Sequence, residues 1–178
     1  MTNPKKKASE VTPEQRLADL IRGLGAGIKL SVAESCTGGL VASRITDIAG
    51  SSKYFEGGVV AYSNDLKRSL LGVKAATLKA HGAVSEEVAA EMAAGVAKKT
   101  KAHIALSLTG MASPADDTEK PVGTVYIGIT IRTTVKKSGE RKESSFVRLF
   151  NFKGSRKSIK RQSATAALTT LADFLEGL

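Results

Sequence analysis

Apolar residues recur along this chain with two periods, every second residue in some stretches and every third or fourth in others. The two-residue period predicts strands over 28–34, in a run that ends at Tyr62, and over 104–110, 125–131 and 146–152. The helical period, with its flanking caps and breaks, predicts helices over 12–24 and 38–48, a short one capped by Asn64, a longer one opening at Ser85 and a last one from about Ser155. Because helices and strands alternate, we expect a single three-layer α/β/α domain with a central mixed, mostly parallel sheet.

Two of the predicted helices carry an apolar stripe that is typical of a buried face. After Ser85 the stripe consists of Val88, Met92 and Val96. On the last helix it consists of Ile159, Ala167, Leu171, Phe174 and Leu178. The sequence also predicts a turn over 137–140, and a disordered basic tail over 1–11 ahead of a domain over 12–178.

The first of three candidate reaction loops covers residues 33–39, with the sequence AESCTGG. It places Ser35 at a turn from a strand to a helix. Gly38 and Gly39 would allow the backbone to approach a ligand closely. We expect the unpaired N–H groups of the following first helical turn to face an anion or a developing oxyanion.

The second and third candidate loops also follow strands. The second presents the phenol of Tyr62, the amide of Asn64 and the amine of Lys67. The third presents Thr109 and Gly110 at the end of the strand over 104–110. We therefore expect the fold to bring these loops together at one side of the sheet.

Four ordered motifs resemble the CinA C-terminal domain family. They are ESCTGG at 34–39, YxNxxK at 62–67, TG at 109–110 and KPVGTV at 120–125, within a resemblance that covers 17–175. The family includes nicotinamide-nucleotide amidases, so the resemblance implies hydrolysis of nicotinamide mononucleotide to nicotinate mononucleotide and ammonia. It also implies the three-layer fold and a homodimer. We expect no cofactor.

For such a reaction Ser35 is the predicted nucleophile and Lys67 the predicted base. A lysine can activate a serine when its pKa is lowered and its amine is neutral, and burial, Arg68 or the helix N-terminus could each lower it here. Tyr62 is predicted to relay the proton or to hold the amine. Cys36 is an alternative nucleophile, because a helix N-terminus favours a thiolate, but we favour the interpretation that it is a small buried residue, since the resembling family has its reactive hydroxyl at the preceding serine. The alternatives without catalysis are that Ser35 is only a helix cap and Lys67 an exposed helix lysine.

The predicted binding residues come from the same loops and from the start of the last helix. The side chains of Thr37 and Thr109 and the N–H groups after Ser35 are predicted donors to an oxyanion or a phosphate. Asn64 is expected both to cap its helix and to touch the substrate, and Arg156 to bind a phosphate or form an ion pair. The full substrate-binding set is Glu34, Thr37, Gly38, Gly39, Asn64, Thr109, Gly110, Arg156 and Lys160.

Composition and charge narrow the remaining function classes. The formal charge of +10 suggests a nucleic-acid-binding protein, but the basic residues fall in separate clusters. The chain has 4% aromatic residues and no tryptophan, which leaves little for base stacking. Nucleic-acid binding is therefore disfavoured. Cys36 is the only cysteine, and the two histidines, His81 and His103, are predicted to be structural, so we expect neither a disulfide nor a metal site. No apolar run reaches the ~20 residues needed to cross a bilayer. We expect a soluble cytoplasmic protein.

The chain departs from the family pattern in two places. After Gly110 it has Asp116, Asp117 and Glu119 where the family has a glycine-rich segment, and carboxylates beside a phosphate would repel it. At 154–156 the chain lacks the family's aspartate but keeps Arg156. Two alternatives to an amidase follow: a catalytically silent nucleotide- or partner-binding member of the same family, and, on charge alone, a nucleic-acid-binding protein.

Overall fold

The computed structural model describes residues 11–114, 120–134 and 141–177. The helices are α1 (Pro13–Gly23), α2 (Leu40–Thr46), α3 (Asn64–Leu71), α4 (Ala75–His81), α5 (Glu86–Thr100) and α6 (Arg156–Glu176). The strands are β1 (Leu30–Glu34), β2 (Phe55–Val60), β3 (Ile104–Gly110), β4 (Thr124–Thr134) and β5 (Arg141–Asn151), with a 3-10 turn at Ser51–Lys53. The turn predicted over 137–140 and the tail predicted over 1–11, apart from Val11, lie outside the described residues.

The five strands form one mixed sheet in the order β2-β1-β3-β4-β5. β1 pairs in parallel with β2 and with β3, whereas β3 with β4 and β4 with β5 pair antiparallel. The prediction of a mixed sheet is confirmed, but its parallel pairings do not predominate. The reason lies in the connections: helices cross between β1, β2 and β3, whereas the described residues between β3, β4 and β5 form no helix, and these strands pair antiparallel.

Helices cover both faces of the sheet and enclose two apolar clusters. α1, α2 and α6 pack over one face, and α3, α4 and α5 over the other. The predicted stripe of α5 is fully buried, and Ile159, Ala167 and Leu171 of α6 are buried as predicted. Phe174 packs at the edge of the same cluster, while Leu178 lies outside the described residues. The predicted three-layer α/β/α arrangement is therefore confirmed.

The direction of the strand order changes at β1. The connection from β1 to β2 carries α2 on one face, while the connection from β2 to β3 carries α3, α4 and α5 on the other. In open α/β sheets this divergence opens a crevice beyond the carboxyl ends of the strands. The register aligns Glu34 of β1 with Val60 and Leu108. The three candidate loops therefore begin side by side.

Side-chain caps set the helix starts. Thr12 and Ser85 cap α1 and α5, and both positions were predicted. The predicted cap of α3, Asn64, is wrong: Ser63 has the extended backbone of a cap, and its Oγ accepts a hydrogen bond from the N–H of Leu66 at 3.2 Å. Serine and asparagine cap equally well, so only the geometry distinguishes two such neighbours. Asn64 is the first helical residue instead.

Candidate active site

Ser35 is the first residue after β1. Its N–H donates to the carbonyl of Leu108 at 3.0 Å, which extends the sheet ladder one residue beyond the strand. The N–H of Gly38 then donates to the carbonyl of Ser35 at 3.1 Å. Gly38 and Gly39 have φ angles of 63° and 96°, in the left-handed region that favours glycine, so α2 begins only at Leu40. This turn fixes the position of the Ser35 side chain, which is 8% exposed.

Lys67 brings its amine to Ser35 from α3. Its side chain is 2% exposed, so the alternative of an exposed helix lysine is wrong. Nζ lies 3.1 Å from Ser35 Oγ, 3.1 Å from the carbonyl oxygen of Ala61 and 3.4 Å from that of Tyr62. Burial lowers the pKa of Lys67. Arg68 does not contribute to this shift, because it is exposed and lies beside Asp65 at 3.8 Å.

The three neighbours of this amine suit both of its protonation states. A neutral lysine has two N–H donors and one lone pair. The carbonyls of Ala61 and Tyr62 can accept both N–H groups, which leaves the lone pair for the hydroxyl proton of Ser35. A charged amine would donate to all three oxygens. A group that accepts a proton and then returns it needs neighbours that can bond it in both protonation states.

Glu34 lies under the loop and does not line the cavity beside Ser35. It is 1% exposed, and its carboxylate accepts hydrogen bonds from the N–H groups of Gly39, Val41 and Ala42 at 3.0, 3.1 and 2.8 Å. These belong to the first turn that was expected to face an anion. That expectation is wrong, because the protein's own carboxylate satisfies them. Glu34 is a positioning residue that joins the loop to α2, not a substrate ligand.

The N–H groups that directly follow Ser35 are placed differently. Those of Cys36 and Thr37 donate to no backbone carbonyl in the part of the chain that the structure describes. The N–H of the residue after a nucleophile is a common donor to the oxyanion of acyl transfer. Cys36 lines the cavity beside Ser35 and Thr37 does not, so the N–H of Cys36 is the better placed of the two for this role.

Cys36 itself belongs to the apolar core. Burial raises the pKa of its thiol to about 11, so the thiol is protonated at neutral pH. The predicted alternative, in which a helix N-terminus activates this thiol, is therefore wrong. Burial outweighs the nearby positive charges.

A cavity of about 520 Å³ adjoins Ser35 and Lys67. Cavities of roughly 300–1,000 Å³ are typical of small-molecule sites. The predicted site residues that line it are Ser35, Tyr62, Asn64, Lys67, Thr109, Gly110 and Arg156, and the alternative nucleophile Cys36 also lines it. All three candidate loops thus meet at one cavity, together with the start of α6.

The phenol of Tyr62 is hydrogen-bonded to Arg156 and, among the described residues, to neither Ser35 nor Lys67. Its hydroxyl accepts a hydrogen bond from the guanidinium of Arg156, which also donates to Ser113 Oγ at 2.8 Å. The predicted relay through the phenol is therefore wrong, and Tyr62 holds the amine of Lys67 through its backbone carbonyl. Arg156 connects two walls of the cavity, the loop after β2 and the segment after β3.

Thr109 and Gly110 shape the cavity without reaching toward a ligand. The hydroxyl of Thr109 donates to the carbonyl of Ala83 at 2.7 Å, so its proton is not available to an oxyanion or a phosphate. A Cβ on Gly110 would lie 2.7 Å from Val125 Cγ2 and 2.8 Å from the carbonyl oxygen of Thr124. Only glycine fits there.

One wall of the cavity was not predicted. It consists of His81, the last residue of α4, and residues 82–84 between α4 and α5. His81, expected to be structural, lines the cavity, and its Nδ1 lies 3.1 Å from Glu87 Oε1. His103 does have a structural role, since its Nδ1 accepts a hydrogen bond from the N–H of Lys29 at 3.2 Å. No local pattern marks residues 81–84, because their position depends on how α4 and α5 pack.

A second cavity of about 680 Å³ shares Arg156 with the first. It contains the other predicted binding residues except Glu34, namely Thr37, Gly38, Gly39 and Lys160. Lys157 and Arg161, which were not predicted, also line it. The structure thus divides the predicted binding set between two adjoining cavities.

Three further predictions concern features beyond these cavities. Within the described ranges, no three His, Cys, Asp or Glu side chains gather as metal ligands would. None of the helices in those ranges is long and apolar enough to cross a membrane. Asp116, Asp117 and Glu119 lie outside the described residues.

Sequence comparison gives full-length relatives in several bacteria. A CinA-like protein of Thermotoga maritima (strain ATCC 43589 / DSM 3109 / JCM 10099 / NBRC 100826 / MSB8) is 47% identical over 149 residues, which cover 83% of this chain and 34% of that protein. A CinA-like protein of Chloroherpeton thalassium is 47% identical over 163 residues, 91% of this chain and 37% of that protein. The chain therefore spans about a third of the length of these curated relatives.

Solved structures show the same fold. A CinA superfamily protein from Klebsiella pneumoniae matches with a TM-score of 0.79 and 29% identity over 93% of this chain and 97% of that one. The competence/damage inducible protein CihA from Agrobacterium tumefaciens matches with a TM-score of 0.77 and 35% identity over 92% and 95%. The family profile described as the CinA C-terminal domain matches residues 12–175. The chain belongs to the CinA C-terminal domain family.

Proposed function

We propose that this protein is an amidohydrolase that converts nicotinamide mononucleotide to nicotinate mononucleotide and ammonia. The observation that carries the reaction type is the 3.1 Å contact between Lys67 Nζ and Ser35 Oγ at the wall of a cavity. The identity of the nucleotide rests on the resemblance to the amidases of the family. Because the proposed substrate is nicotinamide mononucleotide, we also expect the protein to be cytoplasmic.

The first half of the proposed reaction is acyl transfer to Ser35. Neutral Lys67 accepts the hydroxyl proton while Oγ attacks the carboxamide carbon. The N–H groups of Cys36 and Thr37 stabilise the oxyanion. Lys67 then gives its proton to the departing nitrogen, and the C–N bond breaks to release ammonia. The carbonyls of Ala61 and Tyr62 hold the amine throughout.

The second half returns the enzyme to its starting state. A water molecule gives a proton to Lys67 and attacks the acyl carbon, and the bond to Ser35 Oγ breaks as Lys67 returns the proton to that oxygen. The product is a carboxylate. One base thus serves both halves.

Arg156 is the proposed phosphate ligand. Its guanidinium faces the cavity and contacts only the neutral hydroxyls of Tyr62 and Ser113 among the described residues. An arginine can form paired, charge-assisted hydrogen bonds with a phosphate. Asn64 lines the same cavity and offers an amide to the rest of the nucleotide.

The decisive experiment measures ammonia release from nicotinamide mononucleotide by the wild-type protein and by Ser35→Ala. We expect turnover by the wild type and a loss of at least ~100-fold in the variant, because the nucleophile is gone. Ser69→Ala, an exposed serine on α3, is the matched control and should turn over normally. Full activity in a folded Ser35→Ala variant would exclude Ser35 as the nucleophile.

The catalytically silent alternative gives a different result in the same experiment. It predicts no ammonia from the wild type, together with a rise in melting temperature when the nucleotide is added. Binding without turnover would therefore replace the amidase by a nucleotide-binding protein. Salt-sensitive retention of oligonucleotides would instead favour the nucleic-acid-binding alternative.

A homodimer is also proposed. The resemblance implies it, and exposed apolar side chains at the end of β2 and along α3 support it. They are Val60, Tyr62, Leu66 and Leu70. Light scattering should give twice the chain mass, and a monomer mass at all concentrations would exclude the dimer.

A further inference from the structure

The first two turns of α6 carry four cations on one side. They are Arg156, Lys157, Lys160 and Arg161, and all four line the second cavity. Arg156 and Lys160 are four residues apart, as are Lys157 and Arg161, and this spacing makes the two side chains of each pair neighbours on the helix surface. The cavity therefore has a strongly positive wall.

No carboxylate of the described residues forms an ion pair with any of these four side chains. Other cations of the protein are paired: Arg16 with Asp173 and Glu176, and Arg44 with Glu14. Clustered like charges without counter-charges repel one another, so a bound anion would stabilise them. Lys98 and Lys99 at the end of α5 also have no carboxylate partner among the described residues, but they line neither of the two cavities, whereas the four cations of α6 line the second one.

The opposite wall of the cavity comes from the loop after β1. A Cβ on Gly38 would lie 3.6 Å from Lys160 Nζ, so the lysine amine lies directly over this glycine. Thr37 lies in the same wall, and its buried Oγ1 has no hydrogen-bond partner among the described residues. An anion between α6 and this loop would contact cations on one side. On the other side it would contact the backbone of Gly38, which has no side chain.

We propose that the second cavity binds a phosphate group next to the one held by Arg156, so that the two cavities together take a ligand with a pyrophosphate. One phosphate contacts Arg156, which belongs to both cavities, and the next contacts Lys160, with Lys157 and Arg161 beside it. Each phosphate of a dinucleotide's pyrophosphate carries one negative charge, and the terminal phosphate of a nucleoside diphosphate carries about −1.5 to −2 at neutral pH. Arg156 and Lys160 face one phosphate each, and Lys157 and Arg161 add positive charge beside the second.

The ligand class is a nucleotide with a pyrophosphate, and this nucleotide part rests on the proposed function. Two sources share the chemistry. A dinucleotide could place its pyridine carboxamide against Ser35 and its second half in the second cavity. A nucleoside diphosphate could occupy both phosphate positions and only compete with the mononucleotide.

The experiment measures binding without turnover. Inorganic pyrophosphate and inorganic phosphate are titrated calorimetrically into the wild-type protein at ~0.15 M salt, where the Debye length is ~8 Å and distant charges are screened. We expect pyrophosphate to bind at least ~10-fold more tightly than phosphate. Lys157→Gln/Arg161→Gln should lose most of this preference. Lys98→Gln/Lys99→Gln, which removes the same charge from the exposed end of α5, should keep it.

Three outcomes would overturn the second phosphate site. They are equal affinity for the two anions, equal losses in both double variants, and an unchanged preference in Lys157→Gln/Arg161→Gln. The melting temperature separates loss of the site from loss of the fold, because removing unpaired cations should not lower it. The preference for pyrophosphate is measured without turnover, so a lack of amidase activity would not affect this result.

Two further measurements identify the source. Ammonia release from a dinucleotide with a pyridine carboxamide assigns the site to a substrate. Competitive inhibition of mononucleotide turnover by adenosine diphosphate, without ammonia release from the dinucleotide, assigns it to an inhibitor. Failure of both ligands to bind would refute the nucleotide class even if pyrophosphate binds.

Discussion

Lys67 Nζ lies 3.1 Å from Ser35 Oγ although 32 positions separate the two residues in the chain. The parallel pairing of β1 with β2 creates this contact, because it ends both strands at the same side of the sheet. α3 then returns Lys67 toward the end of β1. The carbonyls that hold the amine belong to the two residues after β2, so one short segment fixes the base.

Lys67→Arg tests whether this amine accepts a proton or only supplies charge. A guanidinium stays protonated and cannot accept the hydroxyl proton, so we expect kcat/KM to fall at least ~100-fold, as in Lys67→Met. Steady-state ammonia release is the measurement. Lys79→Arg, on α4, is the conservative control. An active Lys67→Arg enzyme would show that positive charge is enough and that Lys67 is not the base.

The lowered pKa of Lys67 predicts how activity depends on pH. Below that pKa the amine is charged and cannot accept the proton of Ser35, so kcat should be low. We expect kcat to rise as the amine deprotonates, with a midpoint below the ~10.4 of a free lysine. A midpoint at or above that value would contradict the effect of burial.

The same shift predicts a pH dependence of stability. Between the folded pKa and ~10.4 the unfolded chain holds a proton that the folded protein has released, so the free energy of unfolding rises with pH. In urea unfolding, the free energy of unfolding of the wild type should rise relative to that of Lys67→Met by at most ~1.4 kcal/mol per pH unit. The thiol of Cys36 acts in the opposite direction above ~8.5, since its folded pKa is raised to about 11, but both proteins contain it. A difference independent of pH would contradict the shift.

Glu34→Gln tests the internal cap of α2. The amide keeps one acceptor oxygen but turns an N–H₂ group toward backbone donors, so hydrogen bonds among those from Gly39, Val41 and Ala42 are lost. We expect the free energy of unfolding to fall by about 1–3 kcal/mol. Glu56→Gln, at the exposed edge of β2, is the control and should change it little. Normal stability with lost substrate affinity would restore Glu34 as a ligand.

Local patterns were enough to predict the five strands of this fold. The alternation of Ile104, Leu106 and Leu108 predicted β3, because a buried strand leaves the same signal wherever it packs. The start of α2 was predicted two residues early, since nothing in the sequence letters shows that Gly38 and Gly39 are left-handed. Boundaries depend on geometry that periodicity does not contain.

The site was predictable to the extent that residues at strand ends must meet. Ser35, Lys67 and Arg156 do line one cavity. The direction of each side chain was not predictable: Glu34 turns under its loop, and the phenol of Tyr62 turns to α6. Both side-chain directions depend on hydrogen-bond partners that lie more than four residues away in sequence.

Cys36→Ser should leave turnover within a few-fold of wild type. The thiol is buried and protonated at neutral pH, so it neither attacks a substrate nor reacts quickly with iodoacetamide. Mass spectrometry after brief alkylation of the folded protein checks the second point. Rapid modification with loss of activity in the wild type, and inactivity of Cys36→Ser, would move the nucleophile to the thiol.

Tyr62→Phe separates two roles of that residue. The variant keeps the carbonyl that holds Lys67 and removes only the hydroxyl that accepts from Arg156. We expect kcat to change less than ~3-fold and KM for the mononucleotide to rise several-fold, because an arginine without this partner is less well oriented for a phosphate. Steady-state kinetics at saturating and at low substrate measure the two effects.

Arg156→Lys completes this test. A lysine keeps the charge but lacks the planar fork that aims two N–H groups at one phosphate, so KM should rise by ~10-fold or more. If Tyr62 acts only by orienting Arg156, adding Tyr62→Phe to Arg156→Lys should change KM no further, because the interaction is already lost. A proton relay through the phenol predicts the opposite pattern: kcat would fall by at least ~100-fold in Tyr62→Phe, whichever residue occupies position 156.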